Sequence, residues 1–171
     1  MGVEIEKKFT LKNIPENLDK YQMHYIEQGY LNVSPAIRVR REDDHFYMTY
    51  KGQGIMSHEE YNLPLDKESY EHLVDKADGH LIKKKRYLIP LNENAYTEEY
   101  LSGRDDLKKI IKSGEMKIEL DIFEKPFDDI RIAEVEFPDE DAANNYNMAD
   151  WFKEDVTSDR SYSNARLSQR K

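Results

Sequence analysis

"EIEKKF", residues Glu4 to Phe9, sets the question that decides the fold. In a β-strand the side chains alternate, so Glu4, Glu6 and Lys8 share one face while Ile5 and Phe9 share the other. Two carboxylates on one strand face then stand about 7 Å apart and repel each other. The wet face of an antiparallel sheet tolerates such a pair, so one pair proves little. Its meaning comes from the rest of the chain, where the same sorting recurs.

Stretches of period 2 follow one another, separated by turn chemistry. After "VEIEKKFTL" come "HYIEQGYLNV", "AIRVRRE" and "HFYMTYKG", the last two joined across Glu42-Asp43-Asp44, a polar run suited to a hairpin turn. "EEYNLPLD" follows the loose loop "GQGIMSH", and Pro64, lacking a donor, marks it as an edge strand. "LIKKKRYLIPL", "MKIELDIFEK" and "IRIAEVEFPD" complete a set of about eight strands, read as successive antiparallel neighbours. "DKESYEHLVDKADG" and "GRDDLKKIIKSG" carry apolar residues at helical spacing and end at Gly79 and Gly114. "DEDAANNYNMADWF" reads as a third helix, anchored by Trp151 and Phe152, and the basic tail from Asp159 to Lys171 as a fourth. Residues 92 to 115 read as an excursion between two strands, with no function assigned.

Sorted by face, the strands segregate their charges. Glu119 and Asp121 oppose Ile118, Leu120 and Ile122; Glu134 and Glu136 oppose Val135 and Phe137; Arg38 and Arg40 oppose Ile37 and Val39. Lys84 and Arg86 share a face, Lys51 opposes Met48 and Tyr50, and Glu60 opposes Tyr61 and Leu63. A solvated face usually mixes charges with Ser and Thr, because like neighbours cost stability. Faces of one sign, repeated over several strands, make sense if the strands close into a barrel and these faces line its lumen. The expectation is therefore an α+β fold: a closed eight-stranded antiparallel barrel with a charged lumen and amphipathic helices packed outside.

Such a lumen is expensive to build without a ligand that neutralises both signs. Clustered carboxylates suit Mg2+ or Mn2+, whereas clustered Arg and Lys suit phosphate oxygens. The chain has no cysteine, and its five histidines (His24, His45, His58, His72, His80) show no ligand spacing. A metal-bound polyphosphate satisfies both sets at once.

The 171 residues suit a single domain, 1–171, long enough for a real core. A formal net charge of −9 speaks against nucleic-acid binding. No apolar run reaches the length of a membrane span, and there is no signal-peptide core, so a cytoplasmic protein is expected. A homodimer stays open.

The N-terminal Glu-x-Glu-x-Lys strand, here Glu4, Glu6 and Lys8, resembles the hallmark of the CYTH superfamily, the triphosphate tunnel metalloenzymes. The resemblance runs nearly end to end, through "QGYL", "RVR", "MTYK", "EEY", "KKRY", "ELDIF", "AEVEF" and "VTSDRSYSN" in family order. It implies a barrel that binds a triphosphate through basic residues and a divalent metal through acidic ones. The chain is most similar to short bacterial tripolyphosphatases, which implies metal-dependent hydrolysis of inorganic triphosphate to diphosphate and phosphate. A class IV adenylyl cyclase or thiamine triphosphatase in the same fold is the alternative, and a non-catalytic polyphosphate-binding module a second.

Carried over residue by residue, the resemblance assigns metal binding to Glu4, Glu6, Glu134 and Glu136, with Glu119, Asp121 and Glu60 as further acids. Lys8, Arg38, Arg40, Lys51, Lys84, Arg86 and Arg160 would hold phosphate oxygens. Tyr30 and Lys84 match positions proposed to orient the attacking water, beside the acids Glu4 and Glu6. Three positions depart from the family pattern: Ala36 and Asn62 replace acids, and Ser161 replaces a basic residue. "KKKR" (83 to 86) reads as strand rather than a basic patch, and the terminal "RLSQRK" as a solvated tail.

Overall fold

In the computed structural model, which describes residues 2–171, the alternating stretches become strands where the pattern puts them. They are β1 (Gly2–Leu11), β2 (Gln22–Val33), β3 (Ala36–Glu42), β4 (His45–Lys51), β5 (Ser57–Leu65), β6 (Asp78–Pro90), β7 (Lys117–Phe123) and β8 (Arg131–Glu136). The β3–β4 turn is as tight as its polar sequence suggests. Asp43 takes φ 51°, a left-handed conformation that Asp tolerates, and its carboxylate accepts the Tyr25 N–H at 2.9 Å.

All pairings are antiparallel, in the order β5-β4-β3-β2-β6-β7-β8-β1, and β1 returns to β5 to close the barrel. The expected sequential order fails at two places. β6 lies beside β2 rather than β5, and β1 is inserted between β8 and β5. Alternation states which face a residue takes but carries no address for the partner strand. Closure couples Gly2–Ile5 to Ser57–Glu60, and Glu6–Phe9 to the β8 segment 133–136. Beyond Glu60 the side of β5 away from β4 has no strand partner among the described residues, so Pro64 does sit on an edge.

The hydrophobic core lies outside the barrel. Ile5, Phe9, Ile89, Ile118, Leu120 and Val135 point outward and are buried. At about 1.5–3 kcal/mol for each large side chain, this layer supplies much of the stability. Its cover comes from the 92–115 excursion, which folds into α2 (Glu98–Ser102) and α3 (Asp105–Ser113) and buries Ala95, Tyr96 and Leu107. Gly114, at φ 74°, ends α3 as its sequence suggests. α1 (Lys67–Val74), started by the Asp66 carboxylate accepting the Ser69 N–H at 2.7 Å, packs on β2–β4. It stops before Gly79, which belongs to β6 and takes φ 72°.

The third expected helix is much shorter. α4 (Glu140–Asn144) ends where the Asn145 amide donates to the Asp141 carbonyl at 2.9 Å, competition typical of Asn. Phe152 instead opens a ninth strand, β9 (Phe152–Asp155), that pairs with the end of β1 and stacks on Phe9 with centroids 4.6 Å apart. The C-terminal segment forms a 3-10 turn at Arg160–Tyr162 and α5 (Asn164–Ser168). It is not a solvated tail, because Leu167 and Ser168 are fully buried.

Candidate active site

Closure turns a list of charged strand faces into a wall with two halves. Running around the lumen, β7 (Glu119, Asp121), β8 (Glu134, Glu136), β1 (Glu4, Glu6) and β5 (Glu60) are neighbours and form an acidic arc. β4 (Lys51), β3 (Arg38, Arg40) and β6 (Lys84, Arg86) form the basic arc, with β2 contributing Gln28 and Tyr30 between them. Lys8, on β1, brings a base to the cavity from within the acidic arc. Together the arcs enclose a cavity of about 310 Å3.

On the basic side, Arg38 and Arg40 are both 8% exposed. Arg40 Nε donates to Gln28 Oε1 at 2.9 Å and its Nη1 to the Tyr47 hydroxyl at 3.3 Å, which fixes the guanidinium plane. Arg38 is less committed. Its nearest carboxylate oxygen, on Glu60, lies 4.0 Å away, and its buried Nε has no hydrogen-bond partner among the described residues. Arg86 is held firmly, with Nε and Nη2 each 2.7 Å from Asp121, Nη2 2.6 Å from Glu134, and a further ion pair to Glu119.

On the acidic side, the pKa values divide. Burial and the neighbouring Glu6 charge push the Glu4 carboxyl up to about 7. Against the upward push of burial, Lys8 and Lys51 hold Glu6 well below the ordinary carboxylate range. Lys8, 3.0 Å from Glu134, does the same for that residue with the help of Arg86. Burial raises Glu136 and Glu119, with Glu6 and Glu60 adding repulsion at Glu136. The Lys51 ammonium sits between Glu4 and Glu6, 3.1 Å from the latter. These two carboxylates already share a cation. A buried Glu60 oxygen and His58 Nε2 have no hydrogen-bond partner among the described residues, so a donor set suited to a divalent ion is left partly unsatisfied.

No protein-family model matches the chain. Two curated proteins do match it along nearly their whole length. One is an inorganic triphosphatase of Nitrosomonas europaea, 31% identical over 96% of both chains; the other is an inorganic triphosphatase of Acetivibrio thermocellus, 31% identical over 98% of this chain and 94% of its own. The chain belongs to the inorganic triphosphatase family of CYTH barrels. The solved structure of the inorganic triphosphatase NE1496 superposes with a TM-score of 0.65 at 28% identity, over all of this chain and 97% of that one.

Against the CYTH pattern, most expected residues line the cavity: Glu4, Glu6, Lys8, Tyr30, Arg38, Arg40, Lys51, Glu60, Arg86, Glu119, Glu134, Glu136 and Arg160. Lys84 and Asp121 do not. They form an ion pair, 0% and 1% exposed, behind Arg86. Burial pushes the Lys84 ammonium down to about 8 despite Asp121. Their alternation put them on the lumen face, but the lumen narrows there. Ile82, Phe123 and Ile132, each two residues from a charged lumen position, fill that end with Tyr30 and with Leu167 of α5. The barrel is thus blind at one end.

The family departures have local explanations. Asn62 donates to Glu60 at 2.9 Å and accepts from Thr49 at 2.7 Å, so it steadies the acid it cannot replace. Ala36 packs against the apolar plug. Ser161 lies in the turn whose preceding residue, Arg160, does reach the cavity wall. Three of the lining or supporting residues that the sequence did not single out are instructive. Gln28 shares a face with Tyr30 and could have been found by alternation alone. Arg166 lies in the segment read as a tail, and only the docking of α5 brings it to the cavity. His58 is the third: the histidines show no ligand spacing along the chain, yet this one lies beside Glu4 and Glu6. Pairing of β1 with β5 places His58 directly opposite Glu4. No helix among the described residues is long and apolar enough to cross a membrane.

Proposed function

We propose that this protein hydrolyses inorganic triphosphate to diphosphate and phosphate inside the barrel, assisted by Mg2+ or Mn2+ held on the acidic arc. The observation that carries the reading is a single cavity with one basic and one acidic wall, blind at one end. A linear triphosphate is a short polyanion. Arg38, Arg40 and Arg86 offer planar forks for its oxygens, and Lys8, Lys51 and Arg160 add charge along its length. Phosphoryl transfer asks a protein mainly for positioning and charge stabilisation, which such a wall supplies.

Glu4 and Glu6 are the residues that would hold the metal, with Glu60, Glu136, Glu119 and Glu134 around them. When bound, a divalent ion neutralises phosphate charge and lowers the pKa of a water. Water attacks a terminal phosphorus, the bridging P–O bond breaks, and a carboxylate of the arc takes the proton. Tyr30, whose hydroxyl stands 3.4 Å from the Gln28 amide nitrogen, orients groups at the inner end of the cavity. Lys84 and Asp121 act from behind, by anchoring Arg86.

Size favours the inorganic substrate. The cavity of about 310 Å3 is at the bottom of the range of roughly 300–1,000 Å3 typical of ligand sites. With one end filled by apolar residues, a nucleoside or thiamine moiety would have to project from the open mouth. We place the reaction in the cytoplasm. The test is to incubate the purified protein with tripolyphosphate, ATP or thiamine triphosphate, each with Mg2+ or Mn2+, and to identify the products. Phosphate released chiefly from tripolyphosphate is the expected result. Diphosphate and cyclic AMP from ATP would overturn it, as would tight triphosphate binding with no product.

A further inference from the structure

We propose that His58 is a third ligand of the divalent cation at Glu4 and Glu6, and that this imidazole tilts the site toward Mn2+ over Mg2+. The proposal rests on the reading that Glu4 and Glu6 hold a cation, and it adds a residue and a selectivity to that reading.

The placement follows from strand register. Glu4 and His58 are direct cross-strand partners on β1 and β5, so both project into the lumen. One ligand atom from each of Glu4, Glu6 and His58 lies within 4.8 Å of the other two. His58 Nε2 is 3.9 Å from Glu4 Oε2 and 3.7 Å from Glu6 Oε1, beyond hydrogen-bonding distance. Donors about 2.0–2.2 Å from one ion stand about 3 Å apart, so an inward shift of under about 1 Å completes the set once the ion takes the place of the Lys51 ammonium on the two carboxylates.

The imidazole has no other task for that nitrogen. His58 is 8% exposed, and Nε2 has no hydrogen-bond partner among the described residues. Its other nitrogen faces the loop before β5. A Cβ added at Gly54 would come 2.9 Å from Nδ1, so the loop backbone packs against that side of the ring. The ring is thereby turned with Nε2 toward the carboxylates. Buried polar atoms without partners are rare in folded proteins, and one aimed at two carboxylates points to a ligand.

The donor's chemistry sets the preference. Mg2+ is small and hard, demands oxygen ligands and gives up water reluctantly. Imidazole nitrogen suits transition metals, among which Mn2+ also accepts carboxylates. A nitrogen in an otherwise all-oxygen set therefore favours Mn2+ relative to Mg2+.

The test uses the full chain stripped of metal with a chelator, with no substrate present. Mn2+ and Mg2+ dissociation constants are measured by calorimetry, and the Mn2+-loaded protein is examined by electron spin-echo modulation for 14N coupling. The expected results are 14N modulation in the wild type and its loss in His58→Gln. His58→Glu, which restores an oxygen donor, should shrink the Mn2+-over-Mg2+ preference by about tenfold, the lower end of what even outer-shell partners contribute. Mn2+ bound in the wild type and lost in Glu4→Gln, yet without 14N modulation, overturns the role of His58 while the acidic site stands. Mn2+ binding that Glu4→Gln leaves unchanged overturns both. The wild-type spectrum needs no variant, so misfolding of a mutant cannot mask the answer.

Discussion

Replacing Asp121 by leucine removes the anion in contact with Lys84 and leaves that ammonium fully buried. Breaking a buried ion pair from one side costs about 3–5 kcal/mol. The loss shrinks as pH rises from 7 to 9, because the unpaired Lys84 sheds its proton more readily there. In the variant the unfolded chain would bind more protons than the native one over this range, so its stability rises with pH. For a chain of this length, about 3–5 kcal/mol corresponds to a drop in Tm of about 6–20 °C at pH 7.

Urea unfolding followed by circular dichroism at pH 7 and pH 9 reads the loss and its decline with pH. Because the loss approaches the whole stability of an ordinary domain, the double variant Lys84→Met/Asp121→Leu belongs in the same experiment. Exchange of a buried pair for apolar residues is often neutral, and Arg86 keeps Glu119 and Glu134 as partners, so the double variant should lie within about 2 kcal/mol of wild type. Its KM for triphosphate should change only several-fold, because Lys84 does not line the cavity. A single variant that loses under about 1 kcal/mol, or a double variant no better than the single, refutes the reasoning.

Glu4→Gln should abolish metal-dependent phosphate release without unfolding the chain. It should also raise the Tm of the metal-free protein at pH 8. The Glu4 carboxyl is pushed up to about 7, so its contribution favours folding at low pH and is lost as pH rises through 7; removing the charge recovers at most about 3 kcal/mol. Arg38→Met should lower kcat/KM for triphosphate by about 10–100-fold, the worth of a charge-assisted hydrogen bond, with the far-ultraviolet spectrum unchanged. Chelation should stop turnover, and adding back a divalent ion at about 100 times its Kd should raise stability by about 2.7 kcal/mol, read as a Tm shift in the absence of substrate. An unchanged Tm would mean that the ion does not bind the folded chain.

Several features were legible from local pattern because they depend only on period and neighbouring residues. β1 to β8 fall where alternation put them, Asp66 and Gly114 bound helices as capping chemistry requires, and Glu4, Glu6, Arg38 and Arg40 face the lumen. Where local pattern failed, a distant contact had decided the outcome. The helix expected through Trp151 gives way because Phe152 finds Phe9 and the free end of β1. "RLSQRK" is polar enough to be a tail, yet Leu167 plugs the barrel and brings Arg166 to the cavity. His58 looked isolated because its ligand partners lie more than fifty residues away and meet it only through barrel closure.

By itself the sequence determined which side chains share a face, and hence that "EIEKKF" presents two acids and a lysine to a common side. The tertiary structure decided which faces meet. It placed β1 between β8 and β5, gathered the acids into one arc and the bases into the other, and closed one end with apolar residues that alternation alone reads as lumen lining. The physical reason is range. Side-chain alternation is fixed by the geometry of each strand, whereas strand order, closure and the depth of the lumen follow from packing energies summed over the whole chain.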